Sequence, residues 1–515
     1  MSVANRVVFN TSILYFRMMV TIGVSFYSTR IILNALGRSD YGLFNLIAGI
    51  IVMLSFLNTA MATATQRFLS FQKGKNDKEM QKRVFVNSLL LHIAIGFIIV
   101  FILEILGLFI FDGFLNIPEN RIDDAKLVFH FMSATVFFSL ISVPFTGSLN
   151  ANEDLFWIAT VNICETCLKL GIAILLLFIN KDKLVIYGIL TAGIGVVSFV
   201  MYAIFCFKKY SECVLIGSSN MYSKLLMKEL TSFAGWNLFG SICNVARTQG
   251  SAILLNLFFG TIVNAAYGIS NQISAQFRFF SLALLRVLNP QIMKSEGAND
   301  RPRMLRLSMI ASKFGFFLMA LLSIPCLFEM PAILSFWLKN VPEHTVIFSR
   351  LVVISILVNQ LTIGLQSAAQ ATGNVKFYQF ITGSILLLNL PVSYICLKFF
   401  HLNPESVMVM FCVVEAMACA FRLYYLQELA GLSVREYCDR VFLKEIIPVS
   451  SSIATSWLIV HYLNFNFRFV LTIAGSSAMF LIFIYLNGLC KDEKKIIDNL
   501  AHNVFQKIKI KIKGK

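Results

Sequence analysis

The residues with chemical potential in this sequence are charges placed where charge is costly. Arg247 and Arg278 sit near the middles of two apolar stretches, 231–259 and 264–289, joined by the short turn from Gly260 to Asn264. Each stretch is long enough to cross a bilayer, for which about 20 residues suffice. A guanidinium at mid-bilayer costs about 2.5–3.5 kcal/mol on insertion scales, so each is expected to face a water-filled cavity or a partner. Polar residues recur around them at helical steps: Asn237, Ser241, Asn244, Thr248 and Ser251 beside Arg247, then Asn271, Ser274 and Ser281 beside Arg278, with Gln272 and Gln276 flanking. Two adjacent helices would each show one wet, cationic stripe. One reading is a cavity that accepts an anion, lined by Asn237, Asn244, Thr248, Asn271 and Gln272, with the arginines gripping phosphate oxygens bidentately. The other is polar glue between packed helices, the arginines pairing with glutamates or helix carbonyls. Both stand at this stage.

Other charges enter the apolar stretches. Arg17 lies about eight residues into the first. Lys169 has Glu165 one turn earlier, which suggests an i, i+4 pair. Arg30, Arg67, Arg286, Lys313, Arg350 and Arg422 lie near span ends, where long side chains snorkel to headgroups. Arg30 and Arg67 are the first of these to promote to binding, with Lys169 a further secondary candidate. Acidic residues inside spans are few: Glu104, Glu165, Glu329 and Glu415. Glu104 and Glu415 are the candidates for proton or sodium coupling, and each is equally suited to partner an arginine. Cys164 and Cys167 match a C-x-x-C spacing with no second ligand pair, so the default is small buried residues, not a metal site. No phosphate-binding loop, metal spacing or nucleophile motif is present, which argues against an enzyme and for no cofactor.

These residues need helices in a membrane to position them. The chain has 515 residues, 57% hydrophobic and only 14% charged, with a mean hydropathy of +0.75. Soluble domains carry about 25% charged residues, so the expected class is an all-α polytopic membrane protein. The formal net charge of +17 has its source in the loops and implies no nucleic-acid partner. About 14 transmembrane helices are expected: 9–34, 41–68, 84–111, 126–148, 156–179, 184–207, 231–259, 264–289, 307–338, 346–371, 377–398, 405–427, 441–463 and 469–489. The first is too long for a signal-peptide core and is expected to stay in the chain. If the N-terminus is cytoplasmic, inside loops hold about 26 lysines and arginines against about 8 outside, so both termini should be cytoplasmic.

The expected organisation is two pseudo-symmetric six-helix lobes plus a C-terminal helix pair. The N-lobe is 1–207, a cytoplasmic inter-lobe linker 208–230, the C-lobe 231–428, the extra helix pair 429–490 and a basic cytoplasmic tail 491–515. Echoes at one offset support an internal repeat. Asn34-x2-Gly37-x3-Tyr41-Gly42 parallels Asn256-x3-Gly260-x6-Tyr267-Gly268, and Gly147–Asn152 parallels Ala369–Asn374. In the tail, Ile496, Ile497, Leu500, Val504 and Ile508 share one helix face, which suits an anionic inner leaflet as well as a solvated end.

The run Arg30-Ile-Ile-Leu-Asn-Ala-Leu-Gly37-Arg-Ser-Asp-Tyr41-Gly42-Leu-Phe, the run Ala60–Phe68 and the stretch from Leu255 to Ile273 resemble bacterial O-antigen and capsule repeat-unit flippases. These belong to the polysaccharide transporter family of the multidrug/oligosaccharidyl-lipid/polysaccharide (MOP) exporter superfamily. The resemblance implies two six-helix lobes around a cationic central cavity, working by alternating access. It implies an undecaprenyl-diphosphate-linked oligosaccharide carried from the cytoplasmic to the periplasmic leaflet of the bacterial inner membrane. Membrane lipids and other polysaccharide-assembly proteins are the implied partners. Family members use basic residues in the first, second, seventh and eighth helices. Arg17, Arg247 and Arg278 occupy comparable helices here, while the only basic residue of span two, Arg67, is at its end. The main expectation is a lipid-linked oligosaccharide flippase. The runner-up is a multidrug or cation antiporter of the same superfamily, and a membrane-embedded polysaccharide polymerase or ligase follows it.

Overall fold

The computed structural model describes residues 3–52, 55–109, 111, 118–179, 182–214, 221–338, 340–495 and 498. The expected linker 208–230 is described only in part, and of the tail only 491–495 and 498 fall within these ranges, so the proposed helical face of the tail lies outside the described residues.

The described residues are mostly helical, with no strand among them. In order they form α1 (Val3–Val52), α2 (Ser55–Gly74), α3 (Lys78–Phe109), α4 (Ile122–Ile141), α5 (Val143–Ala151), α6 (Leu155–Phe178), α7 (Lys183–Lys209), α8 (Lys224–Gly297), α9 (Arg301–Phe328), α10 (Met330–Leu338), α11 (Thr345–Gln360), α12 (Ile363–Thr372), α13 (Val375–Leu387), α14 (Asn389–Lys398), α15 (Glu405–Ala430), α16 (Val434–Tyr437), α17 (Leu443–Tyr462) and α18 (Arg468–Phe483). Starts are set by side chains that accept otherwise orphaned amides. Asp182 takes the N–H of Leu184 before α7, Ser223 that of Leu226 before α8, and Asp300 that of Arg303 before α9. Gly373 and Gly431, both at positive φ, close α12 and α15.

Eleven helices among the described residues are long and apolar enough to cross a membrane, or twelve if the bent pair α11–α12 is one span, so this is a multi-pass membrane protein. The count departs from fourteen at identifiable places. Lys224–Phe279 is a single continuous candidate of 56 residues, far beyond the roughly 20 that one crossing needs. The first candidate ends at Gly37, while α1 runs on to Val52 with residues 53–54 outside the description.

Both long helices break at a glycine. Gly37 (φ 79°, ψ 171°) and Gly260 (φ 79°, ψ −167°) adopt one backbone conformation that a side chain all but forbids. They stand 223 residues apart, and the interval recurs. Asn76 and Asn299 have φ of 57° and 58°, and Asp77 and Asp300 each accept the amide three residues on. Gly74 and Gly297 follow the same interval. A Cβ on Gly74 would lie 2.1 Å from the carbonyl oxygen of Lys294, and one on Gly297 would lie 2.1 Å from that of Phe71. Two backbones meet there in reciprocal contact. The repeat G-x-N-D at 74–77 and 297–300 was readable in the sequence.

The Cα framework divides into two compact units. One comprises Phe9–Leu238 with Met293–Asn299, the other Met1–Val8, Phe239–Ile292 and Asp300–Lys515. In this division the boundary falls inside α8, after Leu238. In the first unit α4 packs on α7 and α3, and α2 on α5 and α3. Arg121 ties three elements together, reaching Asp40 at 2.8 Å, Asp124 at 2.8 Å and Asp182 at 2.5 Å. Burial raises the Asp182 carboxyl, but the hydrogen bond from Arg121 prevails and holds it below the usual carboxylate range. In the second unit α11 packs on α15, and α9 on α12, α17 and α18. There α17 and α18 pair through a small-residue seam, with Ser452 and Ser456 both within 2.9 Å of the Ser476 hydroxyl.

Candidate functional site

In the second unit Arg247 is 1% exposed and projects from α8 onto α15. Its Nη1 donates to Oε1 of Glu415 at 2.8 Å and its Nη2 to Oδ1 of Asn244 at 3.2 Å. The Phe411 ring lies 4.7 Å beneath the guanidinium. Arg247 is thus locked to a carboxylate, the alternative left open from sequence, and is not a free cation. Glu415 takes a second hydrogen bond from Asn359 at 2.8 Å on its other oxygen. Arg422 stands 4.0 Å from that oxygen and donates to the Thr362 hydroxyl at 3.1 Å.

The local folding explains this gathering. Residues 415 and 422 are two helical turns apart and share a face of α15. The α11–α12 pair bends by 45° at Leu361 and Thr362, aiming Asn359 and Thr362 at that face. Irregular backbone at membrane depth is tolerated where protein polar groups meet it. Tyr378 of α13 brings a buried hydroxyl within electrostatic reach of Arg422.

Arg278 completes the cluster. It is half-buried, within electrostatic reach of Arg247, Glu415 and Tyr267. Tyr267 bridges the two halves of α8 by donating to the Thr248 carbonyl at 3.1 Å, with Asn271 beside its hydroxyl. Thr248 itself donates back to Asn244. Three guanidiniums therefore surround one carboxylate. Among the described residues Glu415 is the only carboxylate paired with them, and Arg278 makes no ion pair there. The Nε of each of Arg247, Arg278 and Arg422 is buried without a hydrogen-bond partner.

The other expected residues disperse. Gln272 is exposed. Asn237 belongs to the first unit and bonds the Phe233 carbonyl at 2.9 Å. Arg17, half-buried in the first unit, has Glu165 and Tyr202 in electrostatic reach. Lys169 is exposed and makes no pair with Glu165 among the described residues. Arg30 is exposed. Glu104 pairs at the surface with His130 at 2.6 Å.

The span-end lysine and arginines expected to snorkel do so only in part. Arg67 is 7% exposed and lies over Phe71 at 4.6 Å and Phe68 at 4.7 Å. Lys313 and Arg422 are 1% and 2% exposed. Helix neighbours close over these groups, which a single-chain hydropathy pattern does not register. Arg422 is the main residue that sequence reasoning misplaced, although its seven-residue spacing from Glu415 was a usable signal.

The first unit also holds an apolar groove of about 430 Å³, lined among others by Leu57, Met61, Leu91, Ile99, Leu103 and Leu238.

Residues 14–175 match the MatE family model. Solved structures extend the likeness to most of the chain. "Crystal structure of MATE in the bent conformation" aligns with a TM-score of 0.73 at 12% identity, covering 84% of this chain and 98% of that one. The chain has the fold of the MATE transporters. A multidrug resistance MATE family transporter of the MOP superfamily, in an outward-facing conformation, aligns at 0.70 and 14% identity over 82% of this chain and 95% of its own. A MOP superfamily transporter from Pyrococcus furiosus, whose binding pocket is described as of reverse polarity suggesting a different function, aligns at 0.68 and 14% identity, again over 82% and 95%. Among curated proteins none matches the sequence.

Proposed function

We propose that this MATE-fold chain is a secondary transporter of the MOP superfamily type whose cargo is an amphipathic anion. The observation that carries the reading is the Arg247, Arg278, Arg422 and Glu415 cluster, where guanidiniums outnumber carboxylates by two. Positive charge held in a low-dielectric site is costly unless a counter-ion visits. A diphosphate that bridges two alcohols carries one ionised oxygen on each phosphorus and matches that excess. Its oxygens suit the planar, multi-donor guanidinium. Half-buried Arg278 is the member open to an arriving ligand, and Glu415 is the resident counter-ion that such a ligand would compete with. Polyprenyl-diphosphate-linked oligosaccharides, the cargo class implied by the flippase resemblance, combine this headgroup with a hydrocarbon tail.

Multidrug or cation antiport is the second reading. The MatE match and the multidrug resistance transporter among the structural relatives support it at least as well as they support a flippase. Cationic drugs are poorly served by an arginine-rich cluster. The deciding experiment is reconstitution in proteoliposomes, with transfer of a diphosphate-linked glycolipid, its neutral analogue and a cationic drug measured under imposed proton or sodium gradients. Movement of the drug and not of the diphosphate lipid would overturn the anionic cargo.

A further inference from the structure

A second buried charge cluster lies in the second unit, where α9, α17 and the segment after α18 meet. Glu445, three residues into α17, is 3% exposed, and both of its carboxyl oxygens are buried with no hydrogen-bond partner among the described residues. Lys313 of α9 is 1% exposed and is committed elsewhere: its Nζ donates to Oε2 of Glu493 at 2.5 Å and touches the Cys490 sulfur at 3.6 Å. Glu493 also accepts the Cys490 amide at 2.8 Å. Lys313 is the one cation within electrostatic reach of Glu445 among the described residues. The other titratable neighbour is Tyr437, whose hydroxyl donates to the Leu361 carbonyl at 2.7 Å and also lies beside Ser312. A crevice of about 10 Å³, lined by Arg306, Lys313, Arg440, Asp492 and Glu493, reaches Lys313 and is about large enough for one water.

One lysine thus lies within electrostatic reach of two carboxyls and is paired with only one. Ionising a buried carboxyl that has no partner is costly, which favours a proton on Glu445, and the Lys313–Glu493 pair is neutral beside it. We propose that Glu445 is a proton-binding site whose ionisation draws Lys313 away from Glu493 and frees the segment Cys490–Lys494 from α9. The O–H bond of Glu445 breaks, the proton passes to water, and the Lys313 ammonium, which lines the crevice, moves to the new carboxylate. Glu493, near the opening, is left to water and to Arg306 and Arg440, which flank Asp492 there. The assignment is independent of the cargo: it concerns only what the protein does with a proton at this junction.

Cys490 is a native reporter, since its thiol lies against Lys313. The test is residue-resolved alkylation of Cys490, followed by mass spectrometry on the full-length protein in lipid nanodiscs from mildly acidic to mildly alkaline pH. The wild type is expected to show a several-fold steeper rise in Cys490 alkylation with pH than Glu445→Gln, which mimics the protonated form. Glu493→Gln, which leaves Lys313 free for Glu445, is expected to raise alkylation at every pH. Identical pH profiles for the wild type and Glu445→Gln would overturn the proposal. Should that variant fail to fold, infrared difference spectra of the wild type across the same pH range decide. Loss of a buried carboxylic-acid carbonyl band with rising pH supports the site, and a spectrum with no such band, or an unchanging one, overturns it.

Discussion

Arg247 and Arg278 looked equivalent in the sequence, one near the middle of each apolar stretch, and the structure separates them. Arg247 is buried and bonded to Glu415 and Asn244. Breaking a buried ion pair strands the partner charge, at about 3–5 kcal/mol. Arg247→Ala is therefore expected to lower the melting temperature and the yield of folded protein, Arg422 being a distant substitute at 4.0 Å. Among the described residues Arg278 pairs with no carboxylate, and its half-buried position leaves less to lose. Arg278→Ala is expected to keep the wild-type melting temperature while weakening binding of a diphosphate lipid by at least tenfold, as measured by thermal-shift titration. A variant that melts normally and binds normally would remove Arg278 from the site. Arg278→Lys should lie between, because charge persists while the bidentate fork is lost.

Among the elements, close backbone contact and charge hubs do the positioning. Gly74 and Gly297 sit where any Cβ would meet a carbonyl oxygen at 2.1 Å, and a backbone atom cannot swing aside. Gly74→Ala is expected to cost about 1–3 kcal/mol as the helices shift apart. Gly171→Ala, where nothing lies within 4 Å, should be neutral or slightly stabilising. Comparing their melting curves checks the contact. Arg121 is the second such device, a single cation holding Asp40, Asp124 and Asp182. Replacing it with glutamine leaves like charges facing one another when ionised. The loss in melting temperature for Arg121→Gln should thus be greatest at neutral pH and shrink as pH falls through the carboxylate range. That sign agrees with Asp182, whose lowered value means its contribution is present at neutral pH and lost on acidification. A deficit that is constant with pH would mean that Arg121 acts through packing alone. These pairs are partly exposed, so the effect is expected to be a few degrees.

For the whole molecule, the basic asymmetry of the loops predicts both termini on the cytoplasmic side. Reporters fused after Lys495 and within 75–78 are expected to read as cytoplasmic, and one within 121–126 as external. The opposite pattern would invert the cargo direction along with the topology. Composition alone was enough for the all-helical, multi-pass class, because an apolar run of bilayer length has few other stable solutions. The recurrence at one offset was legible as well, since a glycine at φ 79° and an Asn-Asp turn are demands of local backbone conformation that few residues meet. In the Cα framework the boundary between the two units falls inside α8, where contacts between distant segments place it.

Sequence by itself therefore determined the membrane class, the helix breaks at Gly37 and Gly260, and the presence of costly buried charge. Each follows from a residue's own transfer energy or backbone preference. Only the tertiary structure decided the partners: that Glu415 serves Arg247, that Arg422 turns inward, and that Glu445 has no hydrogen-bond partner among the described residues while Lys313 serves Glu493. Pairing depends on which helix faces which across tens or hundreds of residues, and the strength of a charge interaction depends on the burial that those neighbours create.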